Sequence, residues 1–137
     1  MRKVVIILFC FMMITGCINK KDSKVNKDMV VIINNNRYDV KLEDNDTVNQ
    51  LLSILPLDLE MNELNGNEKY VYLDNNLVSN SKHINTINAG DIMLFGNNCL
   101  VIFYKTFNTN YSYTKIGHID NLLDLGNDSI RVRIEVK

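Results

Sequence analysis

The 137-residue chain has no tryptophan, one proline, six glycines and three cysteines. So few cysteines exclude a disulfide-dense scaffold, and so little proline and glycine excludes collagen-like repeats and low-complexity linkers. An excess of one charge is missing too, since 15 basic residues face 16 acidic ones. A nucleic-acid binder of this size is normally basic, because neutralising phosphates drives its affinity, so no nucleic-acid partner is expected. A membrane-spanning helix needs roughly 20 apolar residues, and the longest apolar run, Val4 to Ile14, has eleven. What is there suits a globular protein: 46% hydrophobic and 23% charged residues leave enough apolar side chains for a core and rule out disorder.

The start of the chain carries its most specific signal. Arg2 and Lys3 precede the apolar run, which has the length of a signal-peptide core. Ile14-Thr15-Gly16-Cys17 then resembles the lipobox of bacterial lipoproteins: a branched apolar residue, two small ones that lie extended in a peptidase cleft, and the cysteine whose sulfur takes a diacylglyceryl group. The resemblance implies cleavage after residue 16 and acylation of Cys17. Two acyl chains hold a protein stably at a bilayer, at about 0.8 kcal/mol per buried methylene. The expected product is a lipid-anchored protein on the extracytoplasmic face of a bacterial cell membrane. Residues 17–28 read as the lipidated cysteine and a polar tether with Lys20, Lys21, Lys24 and Lys27, and residues 29–137 as one domain.

The cysteines sort themselves on that reading. Cys10 leaves with the leader, Cys17 is acylated, and Cys99 stays alone beside Leu100-Val101-Ile102-Phe103. No disulfide and no cysteine-based metal site can form in the mature chain. Cys99 is expected to be a small buried hydrophobe. The domain is acidic, with 9 basic and 14 acidic residues from Met29 onward.

Periodicity organises the domain. Met29 to Ile33 is a β-branched run; after Asn34-Asn35-Asn36, Tyr38, Val40 and Leu42 alternate with charged residues, so two strands joined by a tight turn are expected. Asp46 or Thr47 is placed to cap a helix, with Gln50 at a capping-box position. Its apolar face is Val48, Leu51, Leu52 and Leu55, stopped by Pro56. Strands are expected over Leu57–Met61, Tyr70–Leu73, Ile92–Phe95, Cys99–Tyr104 and Ile130–Val136, and a second short helix over Asn121–Leu125, capped by Asp120 and closed by Gly126. About eight short strands and two helices predict a mainly β fold, a small closed barrel without exposed sheet edges.

Three stretches resemble the bacterial cyclophilin-like fold proteins: Leu55 to Asn62 continuing through Gly66 to Lys69, Ala89 to Leu94 with Leu100 to Tyr104, and Ile116-Gly117-His118-Ile119-Asp120. The resemblance implies a cyclophilin-type barrel. Peptidyl-prolyl isomerase activity would need the family's arginine beside a Phe-x-x-x-x-Phe-x-x-Gln set and a tryptophan. This chain has no tryptophan, its one glutamine, Gln50, lies on the predicted helix, and Arg37, Arg131 and Arg133 lie on predicted strands outside that context. Fold does not carry activity when the site is missing, so no catalytic residue is assigned.

Other chemistry is sparse. His83 and His118 lack carboxylates or thiols at metal-ligand spacing, so neither metal nor cofactor is expected. Glu60, Glu63 and Glu68 form an acidic group expected on a solvated loop. Thr106 to Thr114 is a polar-aromatic stretch of the kind that lines binding surfaces. Phe103, Tyr104, Tyr111 and Tyr113 are the candidate binding surface, since aromatic side chains offer contact area at low entropic cost. The function expected is a monomeric, membrane-anchored, non-catalytic module that binds an exported peptide, a protein or a small ligand. An envelope isomerase and a structural envelope component are the alternatives.

Overall fold

The computed structural model describes residues 28–137, so the leader, Cys17 and nearly all of the tether lie outside the described residues. β1 (Met29–Ile33) and β2 (Asn36–Leu42) pair through a two-residue loop in which Asn34 and Asn35 hold φ of 49° and 64°. Two left-handed residues in succession make the primed turn whose twist matches a hairpin, and asparagine tolerates it best after glycine. α1 (Asp46–Ser53) follows, then β3 (Leu57–Leu64), β4 (Glu68–Tyr72), β5 (Lys82–His83), β6 (Thr86–Ile87), β7 (Asp91–Phe95), β8 (Cys99–Phe103), β9 (Phe107–Asn108), β10 (Ser112–His118) and β11 (Ile130–Val136).

Eight of these strands close a barrel in the order β2-β1-β11-β3-β4-β8-β7-β10, antiparallel throughout, with β10 returning to β2 at Gly117↔Leu42 and His118↔Lys41. Closure depends on Gly117. A Cβ there would stand 2.7 Å from both the Lys41 carbonyl oxygen and Val40 Cγ1, closer than real side chains approach. Where β10 passes Gly117, its register against β7 also shifts by one residue, a bulge that bends the strand toward its second partner.

The helix begins one residue before the expected cap. Asn45, in extended conformation, accepts the Val48 N–H on Oδ1 at 2.9 Å, and its Nδ2 donates to the Lys115 carbonyl. The Thr47 hydroxyl and Gln50 are used elsewhere, gripping the Val78 carbonyl and N–H at 2.5 and 2.6 Å. The second helix does not form. Asn121 sits at φ 56°, which breaks a helix at its first residue, and the Asp120 carboxylate meets Lys41 at 2.6 Å instead of capping. Residues 121–129 are turn and coil.

Two apolar clusters lie on either side of one wall. Inside the barrel are Val31, Leu51, Met61, Leu94, Ile102 and Ile134 among others; outside it, Met93, Val101, Phe103 and Tyr113 pack under Ile84, Ile87 and Phe107. β8 therefore has every residue buried, which is why its sequence is an uninterrupted apolar run and not an alternation.

An aromatic groove on the outer wall

Where the outer cluster ends, the β4–β8–β10 wall opens into a groove of about 810 Å³. That volume falls within the range of ligand sites, roughly 300–1,000 Å³. Alternation along β4 sends Glu68, Tyr70 and Tyr72 to this side and Lys69 and Val71 to the other. Phe95 at the end of β7, Phe107 on β9, and Tyr111 and Tyr113 on either side of the start of β10 complete the aromatic lining. Of the seven large hydrophobic side chains exposed among the described residues, four line the groove: Leu64, Tyr72, Phe95 and Tyr111. A monomer usually scatters such residues singly, and here four of them gather around one concavity.

The rings brace one another. Phe95 meets Tyr111 edge-on at 6.0 Å and Tyr113 at 5.6 Å; Phe103 beneath contacts Tyr113 and Phe107 at 5.6 and 5.7 Å. Glu68 is the only charged side chain in the lining, among the amides of Asn65, Asn67, Asn108 and Asn110. Burial first, and repulsion from Glu63 second, hold its carboxyl above the usual range. The Asn67 side-chain oxygen is buried without a hydrogen-bond donor.

The four candidate aromatic residues do not share a surface. Tyr111 is on the groove rim, 64% exposed, and Tyr113 is mostly buried in its floor. Phe103 is fully buried behind that floor, and Tyr104, the next residue along, joins the barrel's inner core, because successive strand residues face opposite ways. Sequence reasoning placed Glu68 only in the acidic group and missed Tyr70, Tyr72 and Phe95 as groove residues; the signal was the alternation of Glu68, Tyr70 and Tyr72 on one strand face.

The acidic group is not a solvated loop. Glu60 and Glu63 lie on β3 and Glu68 on β4. Glu63 accepts hydrogen bonds from the Tyr104 hydroxyl, the Gly66 N–H and the fully buried Lys69, whose Nζ also donates to the Gly126 and Asp128 carbonyls at 2.7 Å each. Partial burial works to raise the Glu63 pKa, but those donors outweigh it and hold the carboxyl below its ordinary value. Burial and the Glu63 charge together push the Tyr104 phenol well above its ordinary value. This ionic cluster ties the 126–128 loop to one barrel end.

His118 Nδ1 lies 2.8 Å from Asp91 and Nε2 lies 3.4 Å from Asp120, while His83 is exposed. No group of three or more His, Cys, Asp or Glu among the described residues is placed to hold a metal ion. Cys99 is buried, and burial with the nearby Glu68 charge raises its thiol pKa, which makes it a poor nucleophile. A second cavity, about 620 Å³ beside the β1–β2 turn, is lined by Arg131, Arg133, Asp58 and Glu60, with Arg133 neutralised by Asp58 at 2.7 Å. No described helix is long and apolar enough to cross a membrane.

No curated protein matches the chain. A hypothetical protein from Archaeoglobus fulgidus, solved in solution, is similar in fold, with a TM-score of 0.58 at 19% identity over 81% of this chain and 95% of that one. The sequence model of the Cyclophilin-like family matches residues 31–135, which takes in nearly the whole barrel, and the chain therefore belongs to that family.

Proposed function

We propose that the protein is an extracytoplasmic lipoprotein, anchored through acylated Cys17, whose cyclophilin-like barrel binds a peptide or protein in the β4–β8–β10 groove without isomerising it. The observation that carries the binding reading is the gathering of Leu64, Tyr72, Phe95 and Tyr111, all exposed, around one concavity. The non-catalytic reading is supported by the lining itself. Stabilising a twisted prolyl amide takes a cationic donor, and neither an arginine nor a lysine lines the groove; Arg37, Arg131 and Arg133 stand on β2 and β11. The anchoring reading rests on the Ile14-Thr15-Gly16-Cys17 motif.

The test is an NMR titration of the protein with a panel of proline-containing and proline-free peptides, reading protein shifts and prolyl cis/trans exchange together. Shifts of Tyr72, Phe95 and Tyr111 without accelerated exchange are expected. Accelerated exchange overturns the non-catalytic reading, and shifts confined to other faces overturn the groove. For the anchor, Cys17→Ser should abolish incorporation of labelled fatty acid and leave an uncleaved precursor; unchanged labelling refutes it.

A further inference from the structure

Four carboxylates among the described residues are half-buried: Glu63, Glu68, Asp91 and Glu135. Three of them face a basic group. Glu63 has Lys69, Asp91 has the His118 ring, and Glu135 has both Arg37 and Arg133 at 3.0 Å. The Glu68 carboxylate has no hydrogen bond or ion pair with any described side chain, and the charge of Glu63 repels it. Removing a carboxylate from water without a partner is costly, and folded proteins normally supply one. Here the carboxylate stands on the lining of a groove that six aromatic rings share with asparagine amides.

That combination suits one chemistry. Aromatic faces attract a cation through their quadrupoles while covering its alkyl stem, and a carboxylate with free lone pairs accepts its N–H donors. We propose that the groove is the docking site of an extended polypeptide that inserts a basic side chain, lysine in the simplest case, between Tyr72, Tyr111 and Glu68. This rests on the groove-binding reading above and specifies its ligand. A polypeptide is favoured over a free amine by the rest of the lining. Asn65 and Asn110 offer amide donors and acceptors along the groove, which match peptide N–H and C=O groups and have nothing to meet on an alkylamine. The domain's charge fits as well, since 14 acidic against 9 basic residues draw a basic segment in.

The test compares the blocked peptide acetyl-Ala-Ala-Lys-Ala-Ala-amide with its norleucine analogue and with n-butylamine, by calorimetry and NMR on the full-length lipoprotein in detergent micelles. The lysine peptide is expected to bind about tenfold more tightly than the norleucine peptide. Glu68→Gln should erase that difference, and Tyr111→Phe, which keeps the ring, should leave it in place. Equal affinity of the two peptides overturns the basic-side-chain assignment but leaves groove binding standing. Butylamine binding as tightly as the lysine peptide overturns the polypeptide assignment. Absence of any groove shift with every peptide overturns both this inference and the binding reading on which it rests. Because Glu68 has no partner to lose, Glu68→Gln should fold; an unchanged amide spectrum outside the groove verifies that.

Discussion

Replacing Lys69 by methionine removes the one fully buried cation of the barrel and leaves a side chain of similar length. Three acceptors lose their donor: Glu63 Oε1 at 3.2 Å and the Gly126 and Asp128 carbonyls at 2.7 Å. Breaking a buried ion pair by deleting one partner costs about 3–5 kcal/mol, because the other charge is left uncompensated. Glu63 keeps its bonds from Tyr104 and Gly66 and stays 17% exposed, so the lower end applies, about 3 kcal/mol. For a domain near 110 residues, at about 4 °C per kcal/mol, Tm falls by about 10–15 °C. Urea unfolding followed by far-ultraviolet circular dichroism measures the loss. The double variant Glu63→Gln, Lys69→Met should cost clearly less than the two single changes added, because neither charge is then stranded. The acid limb is a further readout. Glu63 titrates below its unfolded value, so it contributes stability that is present above the unfolded pKa and is lost as pH falls through the folded one. Without Lys69 that acid-side loss becomes shallower. A Lys69→Met cost below about 1 kcal/mol, or strict additivity in the double variant, refutes the view that the pair is a coupled buried unit.

Glu68 has the opposite sign. Its carboxyl titrates above the ordinary value in the folded chain, so ionisation weakens the fold as pH rises through the unfolded and then the folded pKa. Glu68→Gln should therefore stabilise the protein by up to about 1 kcal/mol at pH 7 and by nothing at pH 3, as read from paired thermal melts. Gly90→Ala places a Cβ 2.0 Å from the Ile119 carbonyl oxygen at φ +100°, so it should cost more than about 2 kcal/mol, seen as a lower urea midpoint. Cys99, buried in the groove lining with a raised thiol pKa, should react with Ellman's reagent far more slowly in the folded protein than in urea.

The barrel was legible because most of its strands have one wet face. In β11, Ile130, Val132 and Ile134 are buried while Arg131, Arg133 and Glu135 are not, and that alternation is written directly in the residues. The 121–125 segment misled because leucines and a flanking Asp and Gly satisfy helix statistics, while a tertiary ion pair to Lys41, some 80 positions earlier, takes the capping carboxylate. Lys69 was illegible for the same physical reason. Nothing near a lysine flanked by Glu68 and Tyr70 says that two carbonyls almost 60 residues onward will receive it. Tyr111 and Tyr113 were found as aromatic residues in a polar stretch. Phe103 and Tyr104, adjacent in sequence, face opposite sides of the wall, since successive residues along a strand alternate.

The groove and the misfit carboxylate have a common origin in the doubly covered wall. Most barrel strands need only one apolar face, but β8 is apolar on both because the outer cluster roofs it with Ile84, Ile87 and Phe107. The outer cluster reaches Tyr70 on β4 and goes no further, which leaves Tyr72 exposed. Tyr70 and Tyr72 are thereby left as a half-covered apolar shelf, and Glu68 sits on the same shelf, too enclosed for full hydration, while the neighbouring Lys69 faces the other way and pairs with Glu63. Elsewhere the chain neutralises its carboxylates readily: Lys137 reaches Asp39, Lys105 reaches Asp124, and Arg133 reaches both Asp58 and Glu135. A chain so able to pair its acids, with one enclosed acid left unpaired among rings, departs from local stability rules at one place. Such departures concentrate where a protein meets something other than itself. Filling the shelf with a basic side chain would supply the missing roof and the missing cation together.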